Sequence, residues 1–160
     1  MNRQNQKLRV GVIGAGYLGK FHAEKYARMA GVDLVAVVDV DKSRAQKTAD
    51  RFKTQAYTRH TDIYDKVDAV SVVTPTPLHY PISRDFIVKG VDVLIEKPMT
   101  TTLDEADELI ALARSQGLII QVGHLERFNP AVIALEDVID GPMFVESHRL
   151  SLFKDRAIEV

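Results

Sequence analysis

The chain has 160 residues, with 21 Lys plus Arg against 22 Asp plus Glu and a formal charge of −1. That is enough material for one ordinary core without staples, and it gives no general pull toward nucleic acid or acidic membranes. Cysteine is absent, which removes disulfides, thiolate nucleophiles and cysteine metal sites and fits a reducing compartment; the opening "MNRQNQKLRV" lacks the apolar core of a signal peptide, and no apolar run approaches a membrane span, so a soluble cytoplasmic chain is expected.

The first segment, "LRVGVIG" (8–14), is short, branched and continuously apolar, as a strand covered on both faces reads, which predicts a parallel sheet. Behind it, "GAGYLG" sets Gly14, Gly16 and Gly19 in G-x-G-x-x-G spacing, with Tyr17 and Leu18 between them, and a helix is expected over 17–30. A second strand, "LVAVVDV" (34–40), carries Asp39 near its end, and a helix is expected over about 42–52. "QAY" (55–57) is a candidate additional strand before "AVSVVT" (69–74). Next come a Thr/Pro turn and a helix over about 80–89, with Pro81 suited to its first turn and Gly90 to its end. "VDVLIE" (91–96) is a strand closed by Lys97 and Pro98. In "TLDEADELIALARSQG", Leu103, Ala106, Ile110 and Ala113 share a stripe, Thr102 and Glu105 have capping-box spacing, and Gly117 marks a helix end. "LIIQVG" (118–123) completes the strands. Strand and helix in such alternation predict an α/β fold, a Rossmann-type doubly wound parallel sheet with right-handed crossovers.

After Gly123 the pattern changes. "FNPAVIALEDVIDG" reads as a helix with Asn129 as N-cap, Pro130 at its first position and Gly141 past its end, and "MFVESHRLSLF" (143–153) reads as an extended strand. The expected organisation is a dinucleotide-binding domain over 1–125, then a crossover helix and the first strand of an incomplete α+β second domain over 126–160. The alternative is a last strand docked on the first sheet.

Several motifs carry chemistry. The glycine spacing is weak alone, but here it follows a buried strand and opens a helix. Gly14 would permit the tight turn, Gly16 would let a pyrophosphate approach the backbone, and Gly19 would let the helix sit close on the sheet. The helix N-terminus then offers free N–H groups and partial positive charge to the phosphates. The alternative is a turn that only packs. Asp39, twenty residues after Gly19, can accept hydrogen bonds from adenosine ribose hydroxyls and would repel a 2'-phosphate, favouring NAD over NADP, while Lys42 and Arg44 nearby temper that preference. In "VTPTPLH", Pro75 and Pro77 hold the backbone extended, either along a ligand or only as a turn before a helix. Lys97 leaves the carboxyl end of a strand, the edge where open parallel sheets bind ligands. There its ammonium group could bond a substrate hydroxyl or developing alkoxide; alone, it would read as a solvated strand end.

Together, "GVIGAGYLGKFHAEKYA", "VVDVD", "VTPTPLH", "EKP" and "GHLERFNPA" resemble the Gfo/Idh/MocA family of nicotinamide-dependent sugar oxidoreductases. The resemblance implies hydride transfer between a ring CH–OH of a sugar or nucleotide sugar and NAD, with Lys97 as the catalytic contact beside the nicotinamide. It also implies cofactor contacts from Gly14, Gly16, Tyr17, Leu18, Gly19, Asp39, Thr74, Pro75, His79, Glu96, Lys97, Arg127 and Asn129. The wording of "GHLERFNPA" is similar to subgroups that oxidise the 3-hydroxyl of UDP-N-acetylglucosamine-type sugars. Family members run well beyond this length, with a second half that binds sugar, forms a homo-oligomer and supplies a histidine base on a helix. His148 does not match that histidine, and His22, His60 and His124 neither replace it nor show metal-ligand clustering. The expectation is therefore a fragment that binds NAD without full activity and takes no nucleic acid, membrane or metal. The alternative is an NAD-sensing module without catalysis.

Overall fold

The computed structural model describes residues 7–136, 138–148 and 150. Two units separate after Gly123. The first contains β1 (Leu8–Ile13), α1 (Tyr17–Arg28), β2 (Val32–Val38), α2 (Lys42–Phe52), β3 (Gln55–Tyr57), β4 (Ala69–Val72), α3 (His79–Val88), β5 (Asp92–Ile95), α4 (Leu103–Gln116) and β6 (Ile120–Val122). Its strands form one sheet in the order β3-β2-β1-β4-β5-β6, with every neighbouring pair parallel. The order reverses between β1 and β4, and such a switch point opens a crevice at the carboxyl edge.

Alternation along the strands gives the sheet two apolar faces. Val12 and Val37 point into a cluster with Ala15, Ala23 and Leu34 beneath α1. Their neighbours Ile13 and Val38 join Val70, Val72, Val93, Ile95, Phe86 and Leu109 under α3 and α4. Val12, Val37, Val70, Val72 and Ile95 are fully buried, which explains why these strands read as unbroken apolar runs. α4 starts with the expected capping box: the Thr102 hydroxyl accepts from the Glu105 amide, and Gly117 closes the helix in the left-handed conformation at φ 67°. Residues 55–57 are a strand, on the outer edge of the sheet.

The second unit holds a short 3-10 turn (Leu125–Phe128) and α5 (Pro130–Glu136). The Asn129 side chain caps α5 by accepting from the Ala131 amide at 3.0 Å. The strand expected over 143–153 is not formed in residues 143–148 or 150, while 149 and 151–153 lie outside the described residues. Met143, Phe144 and Val145 are exposed; an extended segment becomes a strand only when a neighbour takes up its N–H and C=O groups, and residues 143–148 have no such neighbour among the described residues. No helix among the described residues is long and apolar enough to cross a membrane.

Candidate active site

The turn between β1 and α1 is built around its glycines. Gly14 has φ 97°, a region open to glycine and strained for other residues. Its amide donates to the Val38 carbonyl at 2.7 Å, and a Cβ there would overlap the Val73 carbonyl oxygen. A Cβ on Gly19 would overlap the Gly14 carbonyl oxygen, so helix and loop touch backbone to backbone. Gly16 differs: its Cβ would project into open space, at the N-cap of α1, where no side chain caps the helix and no acidic residue occupies the first turn. The first turn of α1 therefore keeps uncapped N–H groups and its end of the helix dipole beside an open position, which suits a diphosphate. Tyr17 and Leu18, in that turn, are exposed.

Asp39 sits just past β2 and is 7% exposed. One carboxylate oxygen accepts from the buried Ala15 amide at 2.8 Å and the other from the Asp41 amide at 2.9 Å. The carboxylate thus ties the glycine turn to the end of β2, a role the sequence reading did not assign. Arg44 approaches Asp39 at 3.5 Å and Asp41 at 3.6 Å. The Asp41 carboxyl is held below its usual range, first by the Ser43 hydroxyl and then by the Arg44 amide.

Across the switch point, Thr74 and Pro75 follow β4. The Thr74 hydroxyl is buried without a partner among the described residues, an orphan polar atom at the edge where a ligand would lie. His79, expected above as a cofactor contact, is 1% exposed, and its two ring nitrogens face two backbone carbonyls, Pro98 and Thr74, each at 2.8 Å, of which a neutral imidazole donates to one at a time. It pins the loop after β4 to the turn after β5. In that turn the Lys97–Pro98 bond is cis, Glu96 is 6% exposed, and Lys97 is exposed with no ion pair among the described residues.

Beneath Glu96 lies a polar chain that the sequence reading missed. Glu96 Oε2 accepts from the Lys97 amide at 3.2 Å, while Oε1 meets His22 Nε2 at 3.1 Å. His22 Nδ1 meets Ser71 Oγ at 3.1 Å, and Ser71 Oγ meets the Tyr26 hydroxyl at 2.7 Å. Burial pushes the Tyr26 hydroxyl up, offset in part by the Ser71 contact. The legible signal was a serine inside the apolar run "AVSVV" together with His22 and Tyr26 four apart on α1. The structure thus brings Gly14, Gly16, Gly19, Asp39, Thr74, Pro75, Glu96 and Lys97 together along the carboxyl edge of one sheet. Arg127 and Asn129 belong to the second unit.

Residues 8–124 match the family described as GFO_IDH_MocA, "Oxidoreductase family, NAD-binding Rossmann fold". The chain belongs to the Gfo/Idh/MocA oxidoreductase family. Over 154 residues it is 39% identical to the UDP-N-acetylglucosamine 3-dehydrogenase of Acidithiobacillus ferrooxidans, covering 96% of this chain and 49% of that protein. It is 32% identical to an inositol 2-dehydrogenase of Rubrobacter xylanophilus, covering 87% of this chain and 41% of the relative. Among solved structures, the Acidithiobacillus enzyme superimposes with a TM-score of 0.78 over 82% of this chain and 43% of its own. GenD2 from gentamicin A biosynthesis, solved with NAD, gives 0.81 at 31% identity, over 86% of this chain and 40% of its own. The chain spans about half the length of the curated relatives it matches.

Proposed function

We propose that this domain binds NAD and serves an oxidoreductase that moves hydride between the cofactor and a ring carbon bearing a hydroxyl, on a sugar, nucleotide sugar or cyclitol. The observation that carries the reading is the pairing, on one sheet edge, of an uncapped helix start beside an open Gly16 with an exposed Lys97 on a turn whose Pro98 carbonyl meets His79. The N–H groups of the first turn of α1 would hold the diphosphate, and Asp39 retains lone pairs for the adenosine ribose beyond its two backbone bonds. NAD is favoured over NADP because Asp39 and Asp41 present two carboxylates where a 2'-phosphate would lie, and both engage Arg44. Thr74 and Pro75 would line the nicotinamide side, where the buried hydroxyl of Thr74 lacks a partner among the described residues.

The bound nicotinamide supplies the hydride chemistry. Lys97 would donate a hydrogen bond to the oxygen of the reacting C–O bond and stabilise negative charge as that oxygen loses its proton. Glu96 would fix the direction in which the lysine leaves β5. Within this chain His79 is committed to two carbonyls and His22 to Glu96 and Ser71, so neither is free as general base. A base from further residues, a second domain beginning near residue 126, a homo-oligomer and a cytoplasmic location complete the proposal. The similarity to a UDP-N-acetylglucosamine 3-dehydrogenase supports that sugar class as first substrate to try.

Calorimetric titration with NAD and NADP, followed by NAD reduction assays with UDP-N-acetylglucosamine and inositols, tests the reading. NAD should bind more tightly than NADP, and in any preparation that turns over, Lys97→Ala should lower kcat by about 100-fold or more while leaving cofactor affinity nearly intact. An unchanged kcat would remove Lys97 from the reaction, whereas NAD binding with no turnover of any of these substrates would favour NAD sensing as the reading of the domain.

A further inference from the structure

We infer that His22 is a positioning residue for Lys97, acting through the Glu96 carboxylate, and that Ser71 and Tyr26 select the tautomer in which it acts. The inference rests on the reading of Lys97 as a substrate contact. His22 and Glu96 are nearly enclosed, with side chains 12% and 8% exposed, and Ser71 is fully buried. A Ser-His-Glu set at such spacing resembles a nucleophile relay, but a fully buried Ser71 cannot meet a substrate.

Proton bookkeeping orders the chain. Glu96 as a carboxylate only accepts, so His22 Nε2 must carry a proton. A neutral imidazole then presents Nδ1 as an acceptor, which the Ser71 hydroxyl fills, and the Tyr26 hydroxyl donates in turn to Ser71 Oγ. Each hydrogen has one acceptor, and none is left over. A doubly protonated His22 would turn Ser71 around toward Tyr26, and the Tyr26 hydroxyl would then have no acceptor among the described residues.

Geometry gives the chain its effect. With Oε1 held by His22, the rotation of the Glu96 carboxylate is fixed, and Oε2 stays on the Lys97 amide. On the other side the carboxylate lies against Gly123, where a Cβ would come within 2.9 Å of Oε1, so the glycine is what leaves room for the carboxylate in this position beside β6. His22 lies on α1, the helix whose start is offered to the diphosphate. The turn that aims Lys97 is therefore anchored to the element that holds the cofactor, and from its other side His79 grips the Pro98 carbonyl.

Amide hydrogen exchange and long-range 15N spectra of the whole chain test the inference with His22→Phe, His22→Gln and Ser71→Ala. His22→Phe should speed exchange at the Lys97 amide by about tenfold, the loss of one hydrogen bond, while Val93 and Ile95 in β5 keep their protection. His22→Gln, whose amide can still donate to Glu96, should restore most of the protection. The wild-type His22 should carry its proton on Nε2, and Ser71→Ala should raise the share of the other tautomer. Equal acceleration throughout β5, no rescue by Gln, or a proton on Nδ1 in the wild type would overturn the inference. If His22→Phe does not fold, the tautomer and Ser71→Ala decide alone. An NAD titration of the wild type run alongside separates the two claims: no binding would remove the cofactor reading, while the exchange data still decide whether His22 sets Lys97.

Discussion

Replacing Asp39 by Ala tests whether this residue braces the glycine turn as well as facing a ribose. The Ala15 amide is buried and has the carboxylate as its acceptor at 2.8 Å. Without it, the N–H is left dry and unpaired, at a cost of about 1–3 kcal/mol. The Asp41 amide, accepted at 2.9 Å in a partly buried position, can be rewetted and adds roughly 0.5–1 kcal/mol. Arg44, at 3.5 Å and with its side chain 49% exposed, contributes no more than about 1 kcal/mol after solvent screening. Asp39→Ala should therefore destabilise the domain by about 1.5–5 kcal/mol even with no cofactor present. Urea unfolding at 25 °C reads this as a lower midpoint at constant slope. Asp39→Asn, which keeps one acceptor, should lose about half as much. A loss below about 1 kcal/mol for the alanine variant would mean that the Ala15 amide finds another partner, and the brace would be wrong.

Two further outcomes follow from the same geometry. Gly19→Ala places a Cβ on the Gly14 carbonyl oxygen and 2.8 Å from its carbon; because the obstacle is backbone, α1 must retreat, at a cost of about 1–3 kcal/mol or more, and NAD affinity should fall with it, whereas a fully stable variant with normal affinity would contradict the close approach. Burial, then the Asp85 carboxylate, push the Tyr64 hydroxyl up to about 12, so its stabilising effect is complete below the unfolded value of about 10 and is lost as pH rises from there through the folded value. Tyrosinate absorbance should show a late ionisation that Tyr64→Phe removes; an unchanged titration curve would refute the assignment.

The fold was legible because both faces of its sheet are covered. Val12, Ile13, Val37 and Val38 are all buried, so the strands announce themselves as apolar runs, and the glycine turn is readable because two of its positions are fixed by backbone contact. In the 143–153 stretch, residues 143–148 form no strand, because apolar content signals a strand only if a partner exists, and a sequence does not display its partners. The surroundings of His79 were hidden for a related reason: its place near a ligand edge is sequence information, but the two carbonyls it faces lie in different loops and meet only in three dimensions. The His22–Ser71–Glu96 chain joins α1, β4 and the end of β5. Its members are far apart in sequence, and only the serine inside an apolar strand hinted that something polar lay across from it.

The central claim is that the open start of α1 receives the diphosphate of NAD and brings the nicotinamide toward Lys97. Titrating 15N-labelled protein with NAD tests it most directly. The account predicts saturable shifts at the amides of Gly16, Tyr17 and Leu18, with Lys97 moving at the same ligand concentrations and the edge strand β3 staying still. Shifts confined to other surfaces, or none up to millimolar NAD, would contradict it.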